Sequence, residues 1–177
     1  MSASQQSIAR KIFDTHESGT NGADMLLFSR NSGLQAVSFN GTALMLKKLV
    51  NLGFPVIVLQ DNNKTERAAH YRIVVGYNDT RKVFVVRDNT MEQYLNLPYS
   101  EFEDLWDIHG RWAMLIAPPN RTEYESAVDG GNAVCHMDLA IAYSKNRNKS
   151  GARNECLKAL QLEPQNPFAR KLLLQLK

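Results

Sequence analysis

The sequence predicts an α+β domain built on an antiparallel sheet, followed by a separate all-α region. Three short runs are rich in Val, Ile, Tyr and Phe, which favours strands over helices: Pro55–Leu59, Tyr71–Tyr77 and Val83–Val86. Turn residues fill Asn78–Arg81 between the second and third runs, so these two runs predict a β-hairpin. From Ala133 onwards, apolar residues recur at helical spacing. The fold class follows from this change of period.

Helices are predicted on the N-terminal side of the first strand, each with apolar residues on one face. We expect them over Ser4–Phe13, Ala23–Asn31 and Ala43–Leu52, with a loop over Thr15–Gly22 and a short extended segment over Leu34–Phe39. Gly33 and Gly53 follow the second and third helices, at the position where a left-handed residue commonly ends a helix.

Beyond the hairpin, the pattern predicts one more helix between two extended segments. Leu95–Pro98 is expected to be extended, and Arg111–Ala117 is expected to form a strand that the following two prolines stop. The helix is predicted over Glu101–Ile108. Ser100 is its expected N-cap and Glu103 completes a capping box.

The composition then changes, which predicts a domain boundary. Asn120–Asp129 is charged and has no apolar period. We therefore expect a domain over residues 1–119, a linker over 120–132 and a helical region over 133–177. Within the last of these, helices are predicted over Ala133–Lys145, over Ser150–Leu162 and from Pro167 to the end of the chain.

The first two of these helices resemble one tetratricopeptide repeat, and the third resembles a capping helix. The signature positions are held by Leu139, Ala140, Tyr143, Ala152, Ala159 and Pro164. Cys156 takes the usual aromatic place, so we expect a buried thiol there, whereas Cys135 is expected to be a surface thiol. A lone repeat does not form a long groove, so we expect this region to pack on the first domain or to bind a protein partner.

Composition excludes several classes of function. The net charge of +3, the hydrophobic share of 44% and the charged share of 22% are those of an ordinary soluble globular protein. No basic cluster predicts binding to nucleic acid. No apolar run is long enough to span a bilayer, and the N-terminus lacks a secretory signal, so the chain as given is expected to be cytoplasmic.

Metal and cofactor chemistry have no support in the sequence. The two cysteines lack C-x-x-C spacing, and the four histidines are too widely separated to form a zinc motif. No phosphate-binding or dinucleotide-binding glycine motif is present. We therefore expect no metal site and no cofactor.

One pair of residues has the pattern of a catalytic site. His70 opens one arm of the predicted hairpin and Asp88 closes the other. If the turn centres near Asp79, the two residues lie opposite each other, give or take one position. An imidazole beside a carboxylate can be the base and the orienter of a nucleophilic site. A solvated pair at a sheet edge has the same pattern, so the residues alone leave both interpretations open.

The order of several motifs resembles the double-glycine-leader, or bacteriocin-processing-like, cysteine peptidases, which are papain-like α+β enzymes. The motifs are G-T-N-G-A-D (Gly19–Asp24), S-G-L-Q-A-V (Ser32–Val37), N-G-T (Asn40–Thr42), G-F-P-V-I-V-L-Q, A-H-Y-R-I-V-V-G-Y-N, V-F-V-V-R-D and Y-S-E-F-E-D-L-W. The resemblance covers about Gln5 to Pro118. It implies a Cys–His–Asp site in which His70 and Asp88 are the His and the Asp. It also implies a peptide substrate, cleaved after small residues such as Gly.

The nucleophile of that family has no counterpart in this sequence. The family's cysteine begins a helix ahead of all the matched motifs, with a Gln before it and a Gly after it. Ser7 is not a substitute, because it lies in the wrong helix and no Gly follows it. Cys135 and Cys156 lie beyond the predicted domain boundary.

Two hypotheses follow from the missing cysteine. In the first, the sequence is an N-terminally truncated piece of a peptidase, and the location of the longer protein is unknown. In the second, it is a degenerate domain that binds peptides or proteins without cutting them. Because the family's first helix packs on the sheet, its absence is expected to expose the apolar face of Val56, Val58, Val74 and Phe84.

Overall fold

The computed structural model describes residues 4–16, 18–63, 65, 68–88 and 91–176. Its helices are α1 Gln5–Ile12, α2 Gly22–Asn31, α3 Ala43–Asn51, α4 Tyr99–Asp107, α5 Ala133–Lys145, α6 Lys149–Leu162 and α7 Pro167–Gln175. Its strands are β1 Phe13–Asp14, β2 Gly19–Thr20, β3 Gln35–Asn40, β4 Val56–Asp61, β5 Ala69–Asn78, β6 Val83–Arg87, β7 Leu95–Pro98 and β8 Trp112–Ala117. Each predicted helix and strand is present with ends that differ by two residues or fewer. The short pair β1 and β2 was not predicted.

The chain divides into two compact units. Residues 37–130 form the sheet unit, and residues 1–36 together with 131–177 form the terminal unit. These units follow contacts in space, whereas the predicted limits at 119 and 133 follow composition along the chain. The predicted limits stay a prediction.

The sheet unit is built on a six-stranded sheet. The strand order is β3-β8-β4-β5-β6-β7, and β4 pairs antiparallel with both β5 and β8. The β5–β6 and β6–β7 pairs are also antiparallel. The ends of β4 and β6, and the beginnings of β5 and β8, therefore meet at the same edge of the sheet.

Helix α4 covers the apolar face of this sheet. The four apolar side chains of this face are fully buried, namely Val56, Val58, Val74 and Phe84. The ring centroids of Phe84 and of Phe102, on α4, are 4.5 Å apart. The expectation that this face would be exposed is therefore wrong. The face is covered because α4 carries Phe102, Leu105 and Trp106 at helical spacing, and all three side chains are buried against it.

The beginning of α4 also differs from the prediction. Pro98 is the N-cap residue and makes no side-chain capping bond, while Ser100 lies inside the helix. The predicted capping box is therefore wrong. A proline has no side-chain acceptor, so the rule for polar caps could not identify this end.

The segment predicted as a linker is packed within the sheet unit. The Tyr124 ring is buried and makes an edge contact with Phe54 at 5.7 Å between centroids. Arg121 Nη2 donates to the carbonyl oxygen of Leu52 at 2.8 Å. A single buried tyrosine in a charged segment produces no period, which is why the sequence pattern did not reveal this contact.

The terminal unit contains helices from both ends of the chain. Helix α2 packs on α5, α5 on α6 and α6 on α7. The helix interfaces are lined by small buried residues, namely Ala140, Ala152, Cys156, Ala159 and Ala169. Cys156 is buried as expected. The likeness of this region to a tetratricopeptide repeat stays a prediction.

Cys135 differs from its expectation as a surface thiol. Its side chain is fully buried in the first turn of α5, and Arg30 Nη2 donates to its sulfur at 3.1 Å. The prediction of an exposed thiol is wrong because α2, which carries Arg30, covers this face of α5. Among the described residues, no helix is long and apolar enough to cross a membrane.

Candidate active site

The structure brings the two predicted site residues together at one edge of the sheet. His70 is the second residue of β5, and Asp88 follows directly after β6. His70 Nε2 lies 2.9 Å from Asp88 Oδ2. The Asp88 side chain is 2% exposed and the imidazole is 19% exposed, so the carboxylate is buried and the ring keeps one accessible side.

The register between β5 and β6 is not the predicted one. Ile73 pairs with Arg87, so Asp88 lies level with Arg72 rather than with His70. The turn lies beyond its expected centre, because Asn78 pairs with Val83, and a bulge between Val74 and Gly76 moves the register back by only one residue. The direct pairing of His70 with Asp88 is therefore wrong.

The two side chains meet because of the period of a strand. His70 is two residues from Arg72, so both project from the same face of β5. His70 is thus the diagonal neighbour of Asp88, and a diagonal pair remains within reach of a long or aromatic side chain. A register error of an even number of residues keeps the side chains on one face.

A third side chain occupies the same carboxylate oxygen. Arg72 Nε donates a hydrogen bond to Asp88 Oδ2 at 3.0 Å, and both side chains are buried. His70 Nε2 is equally close to this oxygen, yet it forms no hydrogen bond with any described residue. The contact between the imidazole and the carboxylate is therefore close but not aligned.

Sequence reasoning missed Arg72. Its signal was available, because a charged residue at an inward position of a strand that otherwise reads H-Y-x-I-V-V must find a buried partner. The guanidinium also donates to Gln60 Oε1 at 3.3 Å and to the carbonyl oxygens of Asp61 at 3.2 Å and Asn62 at 2.7 Å. Arg72 thereby connects the end of β4 to the end of β6.

Gln60 connects the site to the covering helix. It is fully buried and pairs with His70 across β4 and β5. Its Nε2 donates to the carbonyl oxygen of Phe102 at 2.8 Å, while its Oε1 accepts from Arg72. Both ends of this amide are thus used, and helix α4 is tied to the strand end that supports the site.

A second His–Asp pair lies at the same edge. His109 Nε2 is 2.8 Å from Asp61 Oδ1, and Asp61 Oδ2 is buried without a hydrogen bond to any described residue. Asp61 follows Gln60 directly and therefore projects from the opposite face of β4. His109 is far from Asp61 in the sequence, in the turn between α4 and β8, and no local pattern predicted this pair.

The geometry supports proton transfer but supplies no thiol within the sheet unit. Since Nε2 of His70 faces Asp88, the other ring nitrogen, Nδ1, is the one that can exchange a proton with a nucleophile. Both cysteines of the chain, Cys135 and Cys156, belong to the terminal unit. Within the described part of the chain, no group of three or more His, Cys, Asp or Glu side chains could hold a metal ion.

Comparisons with known proteins agree with the fold. The model of the Peptidase_C39-like family matches residues 2–114. A solved structure, the peptidase domain of Streptococcus ComA, a bi-functional ABC transporter involved in a quorum-sensing pathway, superimposes with a TM-score of 0.54 at 18% identity. That match covers 67% of this chain and 80% of the ComA domain. No curated protein matches the chain.

Proposed function

The chain belongs to the Peptidase_C39-like family, and from this membership we propose that its sheet unit carries the base and the orienter of a Cys–His–Asp peptidase site. His70 is the base and Asp88 is the orienter. The observation that carries the proposal is the 2.9 Å approach of His70 Nε2 to the buried carboxylate of Asp88, on one face of the sheet. The 177-residue chain by itself is proposed to lack peptidase activity, because the sheet unit contains no cysteine.

The chemistry proposed for the complete site is that of thiol peptidases. His70 accepts the proton of a cysteine thiol, and the thiolate attacks the carbonyl carbon of the substrate peptide bond. The tetrahedral intermediate collapses as His70 returns the proton to the leaving amine, which leaves a thioacyl-enzyme. Water, deprotonated by His70, then releases the acid and regenerates the thiol. Asp88 orients the imidazole through both steps.

The substrate class is taken from the family. It is a peptide or a protein, and cleavage is proposed to follow small residues such as Gly. The half-buried setting of His70 suits an extended chain that approaches from the accessible side of the ring.

Binding without cleavage is the second candidate function, and two observations favour it. The sheet unit contains no thiol, and His70 Nε2 forms no hydrogen bond with any described residue. In this case the sheet unit holds a peptide, or a protein partner, and the His–Asp pair has no catalytic role.

A peptidase assay separates the two candidates. The 177-residue chain and a chain extended by the in-frame DNA upstream of Met1 are incubated with a peptide that contains a Gly-Gly pair. We expect no cleavage by the first and cleavage by the second, provided that the upstream sequence encodes a Gln, a Cys and a Gly in the family arrangement. His70→Ala and Asp88→Asn in the extended chain should lower kcat on the order of a thousandfold or more.

Three outcomes would contradict the proposal. Cleavage by the 177-residue chain would show that another group acts as nucleophile. Full activity of the extended His70→Ala variant would show that His70 is not the base. Stoichiometric peptide binding by an extended chain that has the cysteine but never cleaves would favour the second candidate.

A further inference from the structure

The guanidinium of Arg72 is unusual in the sheet unit because it is a charged group that is buried. It makes four hydrogen bonds, with Asp88, Gln60 and the main chain at Asp61 and Asn62. Its side chain is 5% exposed. An arginine is charged at all ordinary pH values, so a buried one needs a negative partner, and the carboxylate of Asp88 supplies it.

The position of the contact on Asp88 matters for His70. Arg72 Nε and His70 Nε2 approach the same oxygen, Oδ2, at 3.0 Å and 2.9 Å. Arg72 makes a single charge-assisted hydrogen bond to this oxygen, so a rotation of the carboxylate that moves Oδ2 away would break that bond. The oxygen that faces the imidazole is therefore held in place by the arginine.

The other bonds of Arg72 anchor the guanidinium itself. They join it to the last residues of β4 and to Asn62, the first residue of the connection that leads to His70. A shift of Arg72 would thus disturb three strand ends at once. The arginine is held from the β4 side, and Asp88 is held by the arginine.

We propose that Arg72 is a positioning residue of the site, which fixes the Asp88 carboxylate so that His70 keeps its proton on Nε2 and leaves Nδ1 to accept the proton of the thiol. This inference rests on the proposed function and adds to it a residue that acts only through Asp88. Catalytic hydrogen bonds are often poorly aligned in a free enzyme and tighten when substrate binds, so the unaligned contact of His70 is compatible with this role.

The experiment measures the tautomer of His70 in the 177-residue chain, from the nitrogen chemical shifts of the ring. The spectra are recorded at about pH 9, where an ordinary imidazole is neutral. We expect the Nε2–H tautomer to predominate in the wild type and to give way to a mixture in Arg72→Met and in Asp88→Asn. Arg72→Lys should restore part of the preference, because an ammonium still faces the carboxylate but lacks the planar fork.

Arg87→Met is the matched control. Arg87 is the neighbour of Asp88 at the end of β6, but it projects from the opposite face of the sheet. Its removal takes away the same charge at the same end of the sheet, and we expect the His70 tautomer to stay as in the wild type. An equal change in Arg72→Met and Arg87→Met would overturn the proposal, and so would a folded Arg72→Met variant with the wild-type tautomer.

A second measurement applies if Arg72→Met does not fold. The exchange of the Arg72 Nε proton with solvent is compared between the wild type and Asp88→Asn, and we expect exchange about tenfold faster in the variant, because a charge-assisted bond is lost. An unchanged rate would show that Arg72 does not hold Asp88. Neither measurement depends on peptide cleavage, so the positioning role and the proposed function can fail separately. In an active extended chain, Arg72→Lys should lower kcat and leave KM unchanged.

Discussion

Arg72 and Asp88 neutralise each other inside the sheet unit. Their side chains are 5% and 2% exposed, and their contact is a direct hydrogen bond. A buried ion pair adds little net stability, because both charges lose their hydration. Removing only one of the two charges is nevertheless costly, because the other is left buried without a countercharge. The stability of the sheet unit and the proposed site therefore involve the same pair.

Removal of one charge should cost far more than removal of both. Asp88→Asn is expected to lower the free energy of unfolding by about 3–5 kcal/mol, because it leaves the guanidinium of Arg72 buried without a countercharge. The double variant Arg72→Met/Asp88→Asn should recover much of this loss. Urea unfolding followed by circular dichroism measures both.

Asp79→Asn is the control for this series. Asp79 also pairs with a cation, Lys47, but its side chain is 63% exposed, so water replaces the lost interaction. We expect Asp79→Asn to lower the free energy of unfolding much less than Asp88→Asn does. Equal losses at the two positions would contradict the compensation argument.

The proximity of His70 and Asp88 could be predicted from the sequence because each stands at the end of a strand-like run. The apolar runs define the strands, and the strand ends define where polar side chains can collect. Arg72, Gln60 and Asp61 could not be assigned in the same way, because their partners come from other strands and from main-chain atoms. A pattern along the chain can show that an inward polar side chain needs a partner, but it does not show which residue the partner is.

The two thiols are expected to be unreactive in the folded chain. Burial, and to a smaller extent the charge of Glu155, raise the pKa of the Cys156 thiol above its ordinary value. Cys135 is fully buried as well. Since the thiolate is the reactive form and the reagent must reach it, iodoacetamide at pH 7 should label both residues slowly, and rapidly in urea.

The Cys156→Ser variant isolates Cys135 in this experiment. Its labelling under native conditions should stay slow as well. Native labelling of either residue at the rate seen in urea would show an accessible thiol. Such a thiol would be a candidate nucleophile, and the proposal that the 177-residue chain lacks activity would then be wrong.

At the scale of secondary structure, the hairpin illustrates what a pattern can and cannot specify. The alternation of apolar residues specifies which side chains share a face, and it placed His70 and Asp88 on the same side. The turn length and the bulge depend on individual backbone angles, such as the positive φ of 52° at Lys82. Because a lysine rarely adopts this conformation, its residue type did not predict the turn.

Helices α5 and α6 are joined by a buried acidic group. Glu155 Oε2 lies 2.6 Å from Nδ1 of His136 on α5, and its Oε1 accepts from Lys158 at 2.8 Å. Burial pushes the pKa of Glu155 upward, but the hydrogen bonds from Lys158 and His136 outweigh it, so the pKa lies below the ordinary value of 4.5. The ionised form is therefore favoured in the folded chain.

The stability contributed by Glu155 should depend on pH. Since its pKa is lower in the folded than in the unfolded chain, the contribution is complete above the unfolded value of 4.5 and is lost as the pH falls through the folded value. Glu155→Gln should be less stable than the wild type by about 1–3 kcal/mol at pH 7. The difference should shrink as the pH falls below about 4.5.

Urea unfolding at several pH values tests this prediction. Lys158→Met removes one of the two hydrogen-bond donors and should give a smaller loss over the same pH range. A constant difference between the wild type and Glu155→Gln from neutral to acid pH would show that the carboxylate is not stabilised by its partners.

At the scale of the whole molecule, the two ends of the chain fold into one unit. Helix α2 packs on α5 although more than a hundred residues separate Arg30 from Cys135, whose contact belongs to this interface. Composition and periodicity describe neighbours along the chain, so they predicted the helices but not the packing of α2 on α5. The predicted boundary between residues 119 and 133 divides the chain where its composition changes, and the contacts divide it elsewhere.

A shortened chain that ends at residue 130 tests whether the compositional boundary or the contact-based units describe how the chain folds. Without α5, α6 and α7, the buried face of α2 loses its partner, so we expect the amide protons of Gly22–Asn31 to exchange rapidly while β4, β5 and β6 keep their protection. A chain that ends at residue 166 lacks only α7 and is the control, in which α2 should stay protected. Protection of α2 in the chain that ends at 130 would show that residues 1–119 form an independent domain, as the composition predicts. Hydrogen exchange followed by NMR reports on both chains, and on the edge of the sheet that carries His70 and Asp88.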